Sequence, residues 1–295
     1  MKEKRAGDAT LKWGVDCHVH SSCSWDGSDP VEDYCRQAVG AGLHGIIFTD
    51  HVELDPEGKG YRRYDYDQAR ARVEEARVKH PELRLGLGVE VTYLPSLEGE
   101  IRSFLRGREF DMVIGSLHQV QGVDCSDPRQ AARVWSGELD PRALLDAYFT
   151  GLRAAVESGL FDVLGHPDVF LRLGVEHWRH VAEEISHRMG EVLSLVVQAP
   201  LAIEVNTSGL RHGVGHPHPG PDTVAAYRSR GGTLITMGSD AHRVSQLAWG
   251  FPEVAGQLWN LGFRQVYFYE GRRPVALPLP RPREQPGAPP GGDSP

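Results

Sequence analysis

From residue 14 to residue 271, short apolar runs alternate with longer amphipathic ones. Runs at 15–20, 45–49, 83–91, 111–116, 162–165, 201–205 and 233–237 are each too short for a helix and are bounded by turn or polar residues, which predicts strands. Between them, residues 31–41, 67–79, 97–105, 141–158, 181–197 and 222–230 carry helical patterning. Strand followed by helix, repeated along the chain, is the pattern of a parallel sheet. An open doubly wound sheet and a closed barrel both satisfy it, and a single domain of roughly 250 residues favours the barrel. Residues 263–269 predict one further strand that the pattern does not place.

Outside this region the pattern changes. Residues 274–295 are dense in Pro and Gly and have little periodic apolar content, so they are expected to form a disordered tail. Residues 1–13 form a short extension with positive charge but no apolar stretch behind it, so no secretory signal is expected there. The most apolar later stretch, 193–205, is interrupted by Gln198 and Pro200 and is too short to span a bilayer. A cytoplasmic protein is expected, with one barrel domain over residues 14–273.

The 295 residues include 32 Lys and Arg against 40 Asp and Glu, a net charge of −8. With no long basic run, the chain lacks the electrostatic footprint of a nucleic-acid binder. Hydrophobic residues at 40% and charged residues at 24% exclude fibrous and wholly disordered classes. Cys17, Cys23, Cys35 and Cys125 form no CxxC pair, and a chain of this size does not depend on disulfides. They are expected to be reduced thiols.

The candidate chemistry lies at the ends of the predicted strands. The first ends in Asp16-Cys17-His18-Val19-His20, and alternation along a strand puts His18 and His20 on one face, with Cys17 and Val19 turned outward against helices. The later strands end in Thr49-Asp50-His51, Gly88-Val89-Glu90, Gly115-Ser116-Leu117-His118, Gly165-His166-Pro167-Asp168, Ile203-Glu204-Val205-Asn206 and Gly238-Ser239-Asp240-Ala241-His242. Every predicted strand therefore delivers His, Asp or Glu at the end where parallel barrels build their active sites. Imidazole and carboxylate without thiolate suit Zn, Mn or Fe. The candidates exceed what one tetrahedral ion can use, so two to three ions are implied, an arrangement suited to attack on a phosphate ester. No Ser or Cys nucleophile motif competes for that role.

The ordered series HVH, TDH, GVE, SLH, GHPD and GSDAH resembles the polymerase and histidinol phosphatase (PHP) family over residues 15 to about 271. The stretch 204–211, EVNTSGLR, resembles its histidinol-phosphate phosphatase branch. The resemblance implies a distorted seven-stranded parallel (β/α) barrel with a trinuclear metal site. It places His18, His20, Glu90 and Asp240 on the first ion, and Glu90, His118 and His166 on the second. The third would take His51, His242 and Asp26, the residue six after His20, where some relatives carry His. The implied activity is hydrolysis of L-histidinol phosphate to L-histidinol and phosphate, a step of histidine biosynthesis. A phosphodiesterase or nucleotide phosphatase with a wider mouth is the alternative within that chemistry, and a non-catalytic metal-binding scaffold is the alternative outside it. The expected partner is a small phosphorylated metabolite, not nucleic acid or membrane.

Beside these ligands, Arg211 could fork onto phosphate oxygens. Glu90 and Asp240 are the other catalytic candidates. Glu204 and Asn206 are expected to face the substrate, orienting water or an ammonium group. Asp50 and Asp168 are expected to hold imidazoles in the right tautomer. A second HxH, His216-Pro217-His218, lies in a loop without a nearby carboxylate in sequence and is expected at the barrel mouth rather than on a metal. His177, His180 and His187 read as surface or core-flank histidines.

Overall fold

The computed structural model describes residues 13–281. Seven parallel strands form a nearly closed barrel: β1 (Trp13–Val19), β2 (Leu43–Phe48), β3 (Arg84–Thr92), β4 (Met112–Ser116), β5 (Val163–Leu164), β6 (Ala202–Asn206) and β7 (Ile235–Gly238), paired in that order. Strands β1 and β7 meet at their C-terminal ends, where Asp240 N donates to His18 O at 2.8 Å and His20 N donates to Ala241 O at 2.8 Å. The helices are α1 (Val31–Ala41), α2 (Tyr66–Lys79), α3 (Glu98–Leu105), α4 (Pro141–Glu157), α5 (Ala182–Gln198), α6 (Pro221–Ser229) and α7 (Phe251–Asn260), with shorter turns between them. Asp65 and Asp140 cap α2 and α4 by accepting from Gln68 N at 3.0 Å and Arg142 N at 2.9 Å. None of the described helices is long and apolar enough to cross a membrane. All four cysteines are free.

The alternating pattern thus yields the barrel, with differences at particular places. Helix α7 was not anticipated, because Pro252 interrupts its pattern, yet Pro is tolerated in a first turn where the N–H has no partner. Residues 265–270 form β8 (Gln265–Glu270), which pairs antiparallel with β9 (Arg273–Pro278). The expectation of disorder from residue 274 is therefore corrected for its first residues. Leu277 packs on the core and Leu279 is buried, so a few apolar side chains repay ordering that Pro-rich composition alone argues against. The rest of the expected tail and nearly all of the N-terminal extension lie outside the described residues.

The hairpin plugs the floor of the barrel. Phe268 and Tyr269 pack with Val15, Cys17, Ile47, Met112, Ile114, Val163 and Ala202 in an interior cluster separate from the helix-facing core. Cys17 therefore faces inward, against expectation, while Val19 packs in the helix-facing core. The register of β1 against β2 shifts between Asp16 and Val19, and such a bulge breaks strict alternation. Strand β2 breaks at Thr49 and Asp50 and resumes as the two-residue segment His51–Val52, which sets His51 directly opposite Glu90 on β3.

Candidate metal centre and active site

Strand ends and the turns that follow them bring the nine expected ligands into one cluster centred on Glu90, buried except for the half-buried Asp26, His51 and His242. Around Glu90 Oε2 lie His18 Nε2 at 3.2 Å, His51 Nδ1 at 3.2 Å and His20 Nε2 at 3.5 Å. Asp240 Oδ1 lies 3.4 Å from His20 Nε2 and 3.8 Å from His18 Nε2, so His18, His20, Glu90 and Asp240 face a common point. On the other side, Glu90 Oε1 lies 2.8 Å from His166 Nε2 and 3.3 Å from His118 Nε2, and those two nitrogens are 3.4 Å apart. A third group forms around Asp26, whose Oδ2 is 3.1 Å from His242 Nε2 and 3.5 Å from His51 Nε2. His20 reaches this group too, stacked on His242 with ring centroids 4.2 Å apart. Asp240 adopts φ 54°, a left-handed conformation that Asp tolerates better than most residues.

Hydrogen bonds behind the cluster orient the rings. Glu204 Oε1 accepts from His18 Nδ1 at 2.6 Å, Thr92 Oγ1 accepts from His118 Nδ1 at 2.9 Å, and the Asp240 carbonyl accepts from His242 Nδ1 at 3.1 Å. Thr92 in turn donates to Glu53 at 2.7 Å. Each bond places the proton on Nδ1 and leaves the Nε2 lone pair facing the cluster, as metal ligation requires. Gly238 makes this packing possible, since a Cβ there would strike both the Glu204 carboxylate and His18.

The electrostatics call for added cations. Burial opposes ionisation of Glu90, yet His18, His118 and His51 hold its carboxyl well below the usual range. Burial opposes charge on His51 as well, but Glu90 and Asp26 outweigh it and push the imidazole up to about 10. His20 goes the other way, pushed down to about 3 by burial and by His242 and His51. Without a cation, imidazoles whose nitrogens are as close as 3.0 Å would have to share the task of neutralising three carboxylates. Divalent ions remove that conflict, because neutral imidazole and ionised carboxylate are their preferred donors. The residues present fit such ions.

The cluster opens into a cleft of about 330 Å³. Arg211 lines it, with Nη2 donating to the Asp240 carbonyl at 3.0 Å and with Nε and Nη1 buried and unpaired. Arg172, which sequence reasoning missed, lines it as well: Nη2 donates to Ser208 Oγ at 2.5 Å and lies 3.4 Å from Asp240 Oδ2. Its Nε is also buried without a partner. Arg172 follows His166 by six residues, and no spacing rule in the sequence marks it. Only folding of the 169–173 turn over the strand ends brings it in.

Several expected roles change. Glu204 and Asn206 are fully buried and do not line the cleft, so neither is placed to meet a substrate. Glu204 holds His18 and accepts from His166 N at 3.0 Å, and Asn206 Nδ2 donates to Glu204 at 3.2 Å. Both are tied down behind the ligands, Glu204 by His18 Nδ1 and His166 N and Asn206 by Glu204 and by Ser208 N, which donates to its Oδ1 at 2.9 Å. Asp50 holds no imidazole; it accepts from Ser21 N at 2.6 Å and Ser21 Oγ at 3.0 Å, and burial pushes its carboxyl up to about 6. Asp168 does hold an imidazole, that of His218, 2.6 Å away. His218 is fully buried and, like His216, does not line the cleft or join a ligand group, while the loop that carries both follows β6 at the barrel mouth, where its Arg211 and His212 line the cleft. His177, His180 and His187 are exposed.

Comparison with known proteins bears on the same geometry. A Deinococcus radiodurans protein named "Probable histidinol-phosphatase" is 28% identical over 257 residues, covering 86% of this chain and 95% of that protein. A protein of the same name from Clostridium acetobutylicum is 26% identical over 258 residues, covering 86% of this chain and 96% of that one. The crystal structure of histidinol phosphate phosphatase from Lactococcus lactis subsp. lactis, complexed with zinc, L-histidinol and phosphate, superposes with a TM-score of 0.77 at 19% identity, covering 88% of this chain and 98% of that one. The family model described as PHP domain matches residues 16–208, the part that carries β1 to β6 and the ligands from His18 to His166. The chain belongs to the PHP domain family.

Proposed function

We propose that this protein is a metal-dependent phosphomonoesterase that hydrolyses L-histidinol phosphate to L-histidinol and phosphate in histidine biosynthesis, acting in the cytoplasm. The observation that carries the phosphatase reading is the pairing of a metal-ligand cluster around Glu90 with two arginines whose buried donors have no partner among the described residues. The names of the relatives, whose lengths this chain matches almost fully, support the substrate. Two to three divalent ions (Zn, Mn or Fe) would be held by His18, His20, Glu90 and Asp240, by Glu90, His118 and His166, and by Asp26, His51 and His242, with Glu90 shared. When bound, such ions supply Lewis acidity and lower the pKa of water into the neutral range.

The chain's own residues then do the rest. Arg211 and Arg172 take the phosphoryl oxygens with the donors that burial leaves unpaired, and stabilise charge that grows on the transferring group. Burial lowers the pKa of Arg211 slightly against the pull of Asp240, but guanidinium remains cationic at any working pH. Ser208 fixes Arg172 by accepting from its Nη2, and Asp240 Oδ2 balances its charge. Glu204, Thr92 and the Asp240 carbonyl keep the ligand imidazoles in the tautomer that presents Nε2. Water attacks phosphorus, the ester P–O bond breaks, and the leaving alkoxide takes up the proton that the attacking water gives up, which yields the alcohol and inorganic phosphate.

Steady-state kinetics on histidinol phosphate against a panel of phosphomonoesters and mononucleotides, with metal content measured on the same sample, tests this reading. Histidinol phosphate should give the highest kcat/KM. An equal or higher value on a nucleotide would move the protein to the nucleotide-phosphatase alternative, and a metal-loaded protein inactive on every ester would be a scaffold.

A further inference from the structure

The cleft has two chemically distinct sides. Arg172, Arg211 and Asp240 lie on one, over β6 and β7, where a phosphoryl group belongs. The opposite lip is built from turns after β1, β2 and β4 and carries Trp25, Glu53, Lys59, Asp124 and Asp127. Trp25 is one of few large apolar side chains exposed among the described residues, at 37%. Gly60 backs it: φ is +77°, and a Cβ there would strike the pyrrole ring of the indole, so only glycine lets the 53–65 turn lie against the ring. On the cleft side, the ring lies 6.2 Å from His51, centroid to centroid, tilted by 33°. An aromatic ring held from behind and open toward ligands of the metal cluster is a preorganised platform.

We infer that Trp25 is the specificity-determining residue for the leaving group, its indole stacking on a flat aromatic ring such as an imidazole while the phosphoryl end occupies the arginine side. This inference rests on the function proposed above. The charges on this lip are paired with one another: Lys59 lies 3.6 Å from Asp127 and 4.0 Å from Asp124, and Arg129 lies 2.8 Å from Asp127, which leaves the indole as its open recognition surface. An aliphatic aminoalkyl phosphate would meet the same arginines and ligands but would have nothing to lay on the indole. The indole therefore acts on the choice of ester and not on the chemistry of phosphoryl transfer.

The test is the ratio of kcat/KM for histidinol phosphate to that for O-phosphoethanolamine, measured with metal content in parent, Trp25→Leu and Trp25→Phe. Leu keeps apolar bulk without a π-face. The ratio should fall about tenfold in Trp25→Leu, mainly through KM for histidinol phosphate, and return most of the way in Trp25→Phe. Equal ratios in the Leu and Phe variants would overturn the inference, whatever their metal content, because both remove the indole alike beside Asp26. If the parent does not hydrolyse histidinol phosphate, the substrate reading fails by itself. The role of Trp25 is then decided by phenyl phosphate against ethyl phosphate in the same variants, with the same expected pattern.

Discussion

At the floor of the barrel, Asp162 accepts from Val113 N at 2.8 Å and from Arg272 Nε at 2.9 Å, and Asp111 accepts from Leu87 N and Gly271 N at 2.9 and 3.0 Å. At the mouth, Arg172 Nε and Arg211 Nε and Nη1 are buried without a partner among the described residues, and imidazole nitrogens face one another. Both ends bury charged groups, Asp162 at the floor and Glu90 with the arginine donors at the mouth, but the floor satisfies its carboxylate from within the chain, partly through Arg272, which is itself 39% exposed. An unpaired buried polar group costs about 1–3 kcal/mol. The mouth therefore carries a stability cost that ligands offset, whereas the floor supplies stability and takes no part in the chemistry. The same backbone tolerates both because strand ends in a parallel barrel segregate the two kinds of surface.

Substitutions can break this contrast from either end. The largest effect is expected at Glu90, which sits between two ligand groups: Glu90→Gln should lose bound metal and lower kcat/KM by about a thousandfold or more. With metal chelated from both, its melting temperature at pH 7 should be lower than the parent's, since the Glu90 carboxylate is the counter-charge of His18, His51 and His118 and an amide leaves those imidazoles without it. Metal analysis, kinetics and calorimetry on one preparation check this, and retained metal with retained activity would remove Glu90 from the centre.

Truncation after Arg273 acts on the other end. It removes β9 with Leu277 and buried Leu279, and should cost about 3–5 kcal/mol, lowering the melting temperature by roughly 6–15 °C. Truncation after Arg281 keeps the hairpin and should leave both folding and turnover intact. Next come the arginines: Arg211→Ala and Arg172→Ala should each cost about 2–4 kcal/mol of transition-state binding with metal retained, measured as kcat/KM. An unchanged value for either would detach it from the phosphate.

The smallest effect sharpens the floor. Arg272→Ala leaves Asp162 with fewer donors and should cost about 1–3 kcal/mol of stability with kcat unchanged. Burial already raises the Asp162 pKa and Arg272 counteracts it, so the variant raises it further. A carboxyl with a raised folded pKa binds its proton more tightly when folded, so stability falls as pH rises above the unfolded value of about 4. The melting-temperature deficit of the variant should therefore be larger at pH 7 than near pH 5. A deficit that shrinks with rising pH would contradict the buried placement of Asp162.

Strand and helix placement was legible along the chain wherever periodicity was clean, as in α1, whose predicted and observed bounds coincide at residues 31–41. It failed where a single local feature masked the pattern, at Pro252 in α7 and among the prolines of β9. The metal ligands were legible because each sits at a strand end or in the turn after it, so that one-dimensional order maps onto one face of the barrel. Glu204 and Asn206 stand at the same kind of place and yet lie behind the ligands, and Cys17 turned inward through a bulge that no residue type announces. Which strand-end groups face the cleft depends on strand register and on what neighbouring turns cover, and both are set by pairings between distant residues.

The sequence by itself thus determined the alternation of strand and helix, and with it a parallel barrel and the end of it where His, Asp and Glu collect, because these follow from local periodicity and a period of two along a strand. Only the tertiary structure decided that Arg172 joins Arg211, that Glu204 serves His18, that the β8–β9 hairpin closes the floor, and that Trp25 lies open on the lip against Gly60. Those relations are contacts between turns far apart in the chain. Their energies come from burial and hydrogen-bond geometry, which exist only once the barrel has closed.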